Sequence, residues 1–267
     1  MRVAKQLGSG VTLVGNGPSR VAVIHGWLDG ADSWAPFWLH VNEHRYTYAF
    51  VDLRGFGDRR EEAGRFTVAE AADDVQAAVD VLGWSRFALI GHSMGGLIAQ
   101  LVMHRLRDRV SALVGVCPVP ASGSPLGPRE PDFRRAVDVD AARAALFAGS
   151  TSQRHPVEWS QKMAEQSLAS TSPAALHGYL TSWTGTDISA DVAGMETPIS
   201  VLVGEHDPAY PVSRIERTWS TTYPDVEIAT VAGAGHYPMV ENPAELARAV
   251  ESFIERRATA FDADEGA

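Results

Sequence analysis

Residues 86–101, RFALIGHSMGGLIAQL, place a small and polar segment between two aliphatic runs. The first run is typical of a buried strand and the second of a helix, so the segment between them predicts a sharp turn from strand to helix. In the pattern G-x-S-x-G, Gly91 and Gly95 lie two residues on either side of Ser93, where side chains would crowd such a turn. We therefore expect the Ser93 hydroxyl to project above a sheet, beside the free N–H groups of a helix start.

The same pattern also arises by chance in glycine-rich turns that have no chemical role. A serine nucleophile needs a base and an acid, so the rest of the chain decides between the two interpretations. Two later predicted strands end in loops that carry such groups, Asp207 in GEHDPAYP and His236 in GAGHYP. Because the carboxyl ends of parallel strands meet at one edge of a sheet, both side chains can reach Ser93. Asp225 is a second candidate acid, but it precedes a strand, where an ordinary turn carboxylate is the simpler interpretation.

Length and composition limit the classes of protein that fit. The chain has 267 residues, 45% of them hydrophobic, which favours one large α/β domain. Its 23 basic and 33 acidic residues give a net charge of −10, and no dense Lys/Arg cluster indicates a nucleic-acid partner. The one cysteine, Cys117, is expected to be a small core residue. No apolar stretch approaches the roughly 20 residues of a membrane span, so we expect a soluble, cytoplasmic protein that acts on a small molecule.

Short β-rich runs alternate with segments of helical period, which predicts an α/β fold with a mostly parallel, twisted sheet flanked by helices. The clearest helix is 68–82, where Thr67 and Glu70 form a capping box, and another runs from 243 to about 257. The predicted strands are 11–14, 21–25, 46–52, 86–90, 110–116, 199–204 and 226–231.

The strand signal disappears after Pro118 and returns after about residue 191. A loop rich in Pro, Gly and Ser leads there into three helical stretches, near 132–148, 156–169 and 173–183. These features indicate a helical insertion over the carboxyl ends of the strands. The predicted division of the chain is a core over 1–118, a helical cap over 119–190, the rest of the core over 191–257, and a flexible acidic tail at 258–267.

Five motifs together carry a resemblance to the α/β-hydrolase fold over about residues 11–256: HGWLDGADSW, DLRGFG, GHSMGG, GEHDPAYP and GAGHYP. The chain resembles the serine hydrolase branch, with its esterases and lactonases, and the resemblance implies a helical cap after the family's sixth strand, here 110–116. It also implies that Ser93 is the nucleophile, His236 the general base and Asp207 the orienting acid. The oxyanion hole would then consist of the backbone N–H groups of Trp27 and Met94.

Large side chains near these motifs are candidates for a substrate pocket, although at helical spacing they can equally hold the cap together. The candidates are His25, Trp34, Phe147, Trp159, Met163, Tyr179 and Trp183. The nine histidines lack metal-ligand spacing and no dinucleotide or phosphate loop occurs, so neither a metal nor a cofactor is expected.

Taken together, these features predict an enzyme that cleaves an ester or lactone bond of a small, partly apolar substrate. Enzymes that open epoxides or displace halide resemble the chain elsewhere, but they have aspartate where Ser93 lies. Carbon–carbon bond hydrolases, perhydrolases and cofactor-independent dioxygenases share the fold and stay open as alternatives. So does a non-catalytic ligand receptor, which turnover would distinguish from an enzyme. The oligomeric state is not readable from the sequence.

Overall fold

The computed structural model of the protein describes residues 5–7 and 10–264, with side chains from residue 10 to residue 257. Its strands form an eight-stranded sheet within the described residues, in the order β1-β2-β4-β3-β5-β6-β7-β8. The strands β1 and β2 run antiparallel to their neighbours, and the remaining pairs are parallel. The strands are β1 (Lys5–Leu7), β2 (Val11–Val14), β3 (Ser19–Ile24), β4 (Tyr46–Val51), β5 (Phe87–His92), β6 (Val110–Val116), β7 (Ile199–Gly204) and β8 (Val226–Val231).

The central strands are buried on both faces, as their apolar sequences predict. Every residue of β4, β5 and β7 is buried, because helices cover both sides of the sheet. All seven predicted strands are present, which confirms the predicted fold class. The short strand β1 was not predicted, because its three residues are too few to show a period.

Helices cover the sheet and fill the segment between β6 and β7. Thr67 accepts the N–H of Glu70 at the start of α2, which is the first half of the predicted capping box. The Glu70 carboxylate instead accepts the N–H groups of Arg65 and Phe66. The helices are α1 (Ala35–Trp38), α2 (Val68–Val81), α3 (Met94–Arg105), α4 (Glu130–Asp138), α5 (Asp140–Ser150), α6 (Val157–Ser170), α7 (Pro173–Gly185), α8 (Ser189–Val192), α9 (Val212–Thr222), α10 (Pro238–Glu241) and α11 (Pro243–Asp264).

The insertion between β6 and β7 consists of α4 to α8, and one predicted helix is wrong. The stretch 132–148 is not continuous, because Val139 between α4 and α5 has extended backbone angles (φ −126°, ψ 111°). A β-branched residue favours this conformation, and Asp140 stabilises the new helix start that follows. At the other end of the chain, α11 continues through residue 264, into the segment that the sequence analysis assigned to a tail. The alanines of this segment favour helix once α11 has started, and residues 265–267 lie outside the described part.

The sheet brings the ends of its parallel strands to one edge. Ser93 directly follows β5, Asp207 follows β7 by three residues and His236 follows β8 by five. Cys117 follows β6 and is buried, as expected for a core residue. Among the described helices, none combines the length and the apolar composition that crossing a bilayer requires.

Candidate active site

The turn between β5 and α3 holds Ser93 in a strained backbone conformation. Its φ of 52° and ψ of −118° lie outside the regions that residues with a Cβ normally adopt. The glycines around it make this turn possible, because a Cβ on Gly91 would lie 2.3 Å from the Gly95 oxygen. A Cβ on Gly95 would lie 2.5 Å from the Ile24 oxygen. The turn therefore packs directly against the end of β3, from which the neighbouring loop starts.

Three side chains from separate loops meet in a hydrogen-bonded series. The Ser93 Oγ lies 3.0 Å from Nε2 of His236, and Nδ1 of His236 lies 2.8 Å from Oδ2 of Asp207. Asp207 and His236 are only 4% and 7% exposed. The structure thus places the predicted nucleophile, base and acid in contact, in the order that proton transfer from serine requires.

The electrostatics of this pair favour a base with a stabilised charged form. Burial acts to raise the pKa of Asp207, but the charge of His236 and the hydrogen bonds to the carboxylate outweigh it and hold this pKa below its usual value. Burial acts to lower the pKa of His236, but the Asp207 charge and hydrogen bond outweigh it and raise this pKa. An imidazolium formed during a reaction would therefore be stabilised where it forms.

The loop after β7 fixes the Asp207 carboxylate from two sides. Its Oδ1 accepts the N–H groups of Ala209 at 2.8 Å and Tyr210 at 3.3 Å. Behind it lies the Cys117 thiol, which accepts the N–H of Gly204 at 3.4 Å. Burial raises the pKa of Cys117 well above its usual value, so the thiol stays protonated. Its sulfur lies within 4.8 Å of atoms of Asp207 and His236, but a protonated thiol is a poor metal ligand.

Glu241 organises the loop that carries His236. This fully buried carboxylate accepts the N–H groups on both sides of the histidine, from Gly235 at 2.9 Å and from Tyr237 at 3.0 Å. His155 of the insertion donates to the same carboxylate at 2.9 Å. Glu241 was not predicted, although its place five residues after His236 was a usable signal.

The corner between α5 and α6 also bonds to the two loops. The Ser150 carbonyl accepts the backbone N–H of His236 at 3.1 Å. The Ser152 hydroxyl donates to the His206 carbonyl at 2.8 Å, and the Arg154 guanidinium donates to the Gly233 carbonyl at 2.7 Å. The insertion therefore contacts the main chain of both loops, not only substrate space.

A second imidazole and carboxylate lie on the other side of Ser93. The ring of His92 donates through Nε2 to the His236 carbonyl at 2.8 Å, and its Nδ1 lies 3.1 Å from Oδ2 of Asp29. Gly26 packs against this pair, since a Cβ there would lie 2.7 Å from each of these two atoms. The Nε2 hydrogen bond joins the turn at Ser93 to the loop of the base, and the His92 ring also contacts Asp29 in the loop after β3.

The two N–H groups proposed for the oxyanion hole lie beside Ser93. Met94 is the first residue of α3, and Trp27 follows β3 by three residues. Neither backbone N–H donates to an acceptor within the described part of the chain. Neither donor is thus taken by an acceptor among the described residues, and the oxyanion hole stays a prediction.

A cavity of about 170 Å³ opens onto Ser93 and His236. Aromatic and aliphatic side chains from the loops and from the insertion form much of its wall. The lining residues are Trp27, Leu28, Asp29, His92, Ser93, Ser124, Pro125, Leu126, Arg129, Phe133, Leu146, Ser150, Trp183, Ala209, Tyr210, Arg214, His236 and Tyr237.

Of the seven side chains predicted to line the pocket, Trp183 does so and the other six lie elsewhere. Trp34 is buried against Phe37, Phe147 packs on Tyr237 and Tyr179 packs on Phe56. Trp159 stacks on His155, and Met163 lines a separate cavity. His25 is structural, because it donates to the Gly26 carbonyl and accepts the N–H of Leu53, while burial lowers its pKa to about 4.

The side chains that do line the cavity come mostly from irregular segments. Ser124 and Leu126 lie in the loop after β6, and Tyr210 lies in the loop of the acid. The sequence offered one signal for Tyr210, which is its position three residues after Asp207. Asp225, the alternative acid, lies away from this site and pairs with Arg257 at 3.2 Å.

Comparison with known proteins gives the family and the fold. A family model described as alpha/beta hydrolase fold matches residues 20–243. The pimeloyl-acyl-carrier protein methyl ester esterase of Serratia marcescens is 25% identical over 253 residues, covering 90% of this chain and 96% of that protein. The enzyme of the same name from Citrobacter koseri is 28% identical over 254 residues, covering 88% and 94%. A hydrolase from Oleispira antarctica superposes with a TM-score of 0.82 at 17% identity, over 92% of this chain and 94% of that one, a likeness that shows the fold alone.

Proposed function

We propose that this chain, a member of the α/β-hydrolase-fold family and a hydrolase of ester bonds, is a serine carboxylesterase or lactonase. The proposed reaction proceeds through an acyl-enzyme. The observation that carries the proposal is the series from Ser93 through His236 to Asp207, with contacts of 3.0 and 2.8 Å. The strained backbone at Ser93 supports it, since strain of this kind concentrates at functional sites.

In the proposed reaction, Ser93 Oγ attacks the carbonyl carbon of the ester while His236 takes the hydroxyl proton. Asp207 stabilises the imidazolium, and the N–H groups of Trp27 and Met94 donate to the oxygen that becomes negative. The ester C–O bond then breaks, and His236 gives its proton to the leaving alcohol. A water molecule, deprotonated by His236, attacks the acyl-enzyme, releases the acid and restores Ser93.

The size and the lining of the cavity support the proposal of a small, partly apolar substrate. Its volume of about 170 Å³ is below the usual range for binding sites of drug-sized ligands, about 300–1,000 Å³. The rings of Trp27, Phe133 and Trp183 pack together in its wall, with centroids 5.5 to 6.5 Å apart. The two esterases from Serratia marcescens and Citrobacter koseri are named for a methyl ester, and a short alkyl ester of an acyl chain is the substrate that we propose here. Residues 119–190 would form the cap over this cavity. A cytoplasmic location of the protein stays a prediction.

The test is hydrolysis of p-nitrophenyl esters of increasing chain length, together with several lactones, by the wild type and Ser93→Ala. We expect turnover in the wild type and a loss of about 10⁴-fold or more in kcat in the variant, because the nucleophile is gone. Circular dichroism provides the control that the variant folds. Equal activity of the two proteins would refute the serine mechanism. Tight binding of a substrate without turnover by the wild type would instead favour the ligand receptor.

A further inference from the structure

The cavity beside Ser93 carries positive charge in a protein whose net charge is −10. Two arginines, Arg129 and Arg214, line it. Among the described residues, Asp29 is the one carboxylate in the lining, so the two guanidinium groups outnumber the negative groups there. The charge of the two guanidinium groups is therefore not balanced within the cavity.

Arg214 is the more deeply placed of the two, and its partners in the described part of the chain are neutral. Its guanidinium donates to the Ala209 carbonyl at 2.9 Å and to the Ser124 hydroxyl at 2.8 Å. It also lies over the ring of Tyr210, 4.8 Å from the centroid. These contacts fix the side chain but use only two of its five N–H donors. A half-buried guanidinium held in this way is suited to bind an anion through its remaining donors.

The guanidinium also lies close to the reacting groups. The Tyr210 ring on which it rests is stacked on the His236 ring, with centroids 5.7 Å apart. Arg214 is therefore separated from the proposed base by a single aromatic ring. A substrate held at Ser93 can extend along the Tyr210 ring and reach Arg214 within the same cavity.

We propose that Arg214 is an anion-binding residue of the substrate pocket, and that the protein prefers esters which carry a carboxylate or a phosphate in addition to the scissile bond. The inference rests on the proposed function and names its substrate class. Charge recognition at this point separates such esters from neutral esters of the same length. The alternative is that Arg214 only joins the loop of Ser124 to the loop of Asp207, and this role would not depend on substrate charge.

The experiment compares two substrates of equal length, monomethyl adipate and methyl hexanoate, by pH-stat titration. For the wild type, Arg214→Gln, Arg214→Lys and the control Arg217→Gln, the readout is the ratio of kcat/KM for the charged ester to that for the neutral ester. We expect this ratio to fall about 10-fold to 100-fold in Arg214→Gln, because charge-assisted hydrogen bonds are lost. It should fall less in Arg214→Lys, which keeps the charge. Arg217 is exposed on the same helix and lies outside the cavity, so its substitution should not change the ratio.

A ratio in Arg214→Gln within about twofold of the wild type would overturn the inference while leaving ester hydrolysis intact. A binding measurement covers the case in which neither ester is hydrolysed. Ser93→Ala, with and without Arg214→Gln, is titrated calorimetrically with adipate and with inorganic phosphate. Binding that weakens at least 10-fold with Arg214→Gln supports the site, and the anion that binds identifies the carboxylate or the phosphate as its ligand. Absence of binding for both anions overturns it. Thermal unfolding checks that Arg214→Gln folds, and Arg214→Lys replaces it if it does not.

Discussion

Replacing Ser93 by glycine should make the protein more stable than replacing it by alanine. Both variants lack the hydroxyl, so the comparison isolates the Cβ atom on a backbone with φ of 52° and ψ of −118°. The conformation is imposed from outside, since the backbone N–H of Ser93 donates to Val116 and its carbonyl accepts the N–H groups of Gly96 and Val119. Alanine must keep this strained conformation, whereas glycine adopts it freely.

The size of the effect follows from two opposing contributions. Holding a residue with a Cβ in such a region costs about 1–3 kcal/mol. Glycine loses part of this advantage, about 0.4–1 kcal/mol, because it leaves the unfolded chain more flexible. Taking the middle of each range, we expect the free energy of unfolding of Ser93→Gly to exceed that of Ser93→Ala by about 1 kcal/mol. With a urea dependence of about 3 kcal/mol per M, the midpoint of unfolding moves up by about 0.3 M.

The assay is urea denaturation followed by circular dichroism, with a matched pair at Ser220 as the control. Ser220 is exposed within α9, where the backbone is helical. There glycine should be less stable than alanine by about 0.5–1 kcal/mol, so the sign is opposite to that at Ser93. If Ser93→Gly is no more stable than Ser93→Ala while Ser220 shows the expected loss, the backbone at Ser93 does not cost stability.

Two further predictions concern the groups around His236. In Asp207→Asn, the acid limb of the pH profile of kcat/KM should move to lower pH, because the carboxylate raises the pKa of His236 and burial alone lowers it. The plateau of kcat/KM should fall about 10⁴-fold. In Glu241→Gln, the new NH₂ group faces a backbone N–H donor beside His236. The free energy of unfolding, measured with urea, should therefore fall by about 1–3 kcal/mol, and kcat should fall more than KM rises.

Each of these predictions has an outcome that contradicts it. An acid limb that stays in place or moves to higher pH in Asp207→Asn would show that another group titrates. For Glu241→Gln, the control is Glu245→Gln, where the carboxylate is partly exposed and, among the described side chains, pairs with Arg248 three residues away. This control should change stability by less than about 0.5 kcal/mol. Equal effects at the two glutamates would show that the loop does not depend on the buried carboxylate.

The parts of this protein that the sequence predicted are those fixed by local rules. The turn at Ser93 needs glycine at 91 and 95 because side chains there would strike backbone oxygens, and this requirement shows in the sequence as a pattern. The positions of Asp207 and His236 follow because each lies shortly after a strand, and parallel strands end at one edge. Both inferences need the chain neighbourhood and the topology, but no knowledge of packing.

The pocket was predicted poorly because its wall depends on contacts between distant segments. Phe147 and Tyr179 lie at helical spacing on the buried faces of their helices. Phe147 packs on Tyr237 and Tyr179 packs on Phe56, in the interior. Arg214, by contrast, reaches the cavity through a hydrogen bond to Ser124, 90 residues earlier in the chain. No local pattern marks such a pairing. The break at Val139 was missed for a related reason. The apolar period continues across this residue, although its backbone is extended and interrupts the helix.

The corner between α5 and α6 has a consequence for how the insertion can move or be exchanged. Its bonds to the main chain at His236, His206 and Gly233 make residues 150–154 part of the frame that aligns the base. The insertion is also bonded to the core at α7, where the Leu176 carbonyl accepts the Trp27 indole N–H and the Ser182 hydroxyl accepts the Val68 N–H, so an opening motion has to break bonds at both places. A chimaera in which another protein's insertion replaces this one has to retain the corner. Without it, His236 will be misaligned, whatever the substrate specificity of the new insertion.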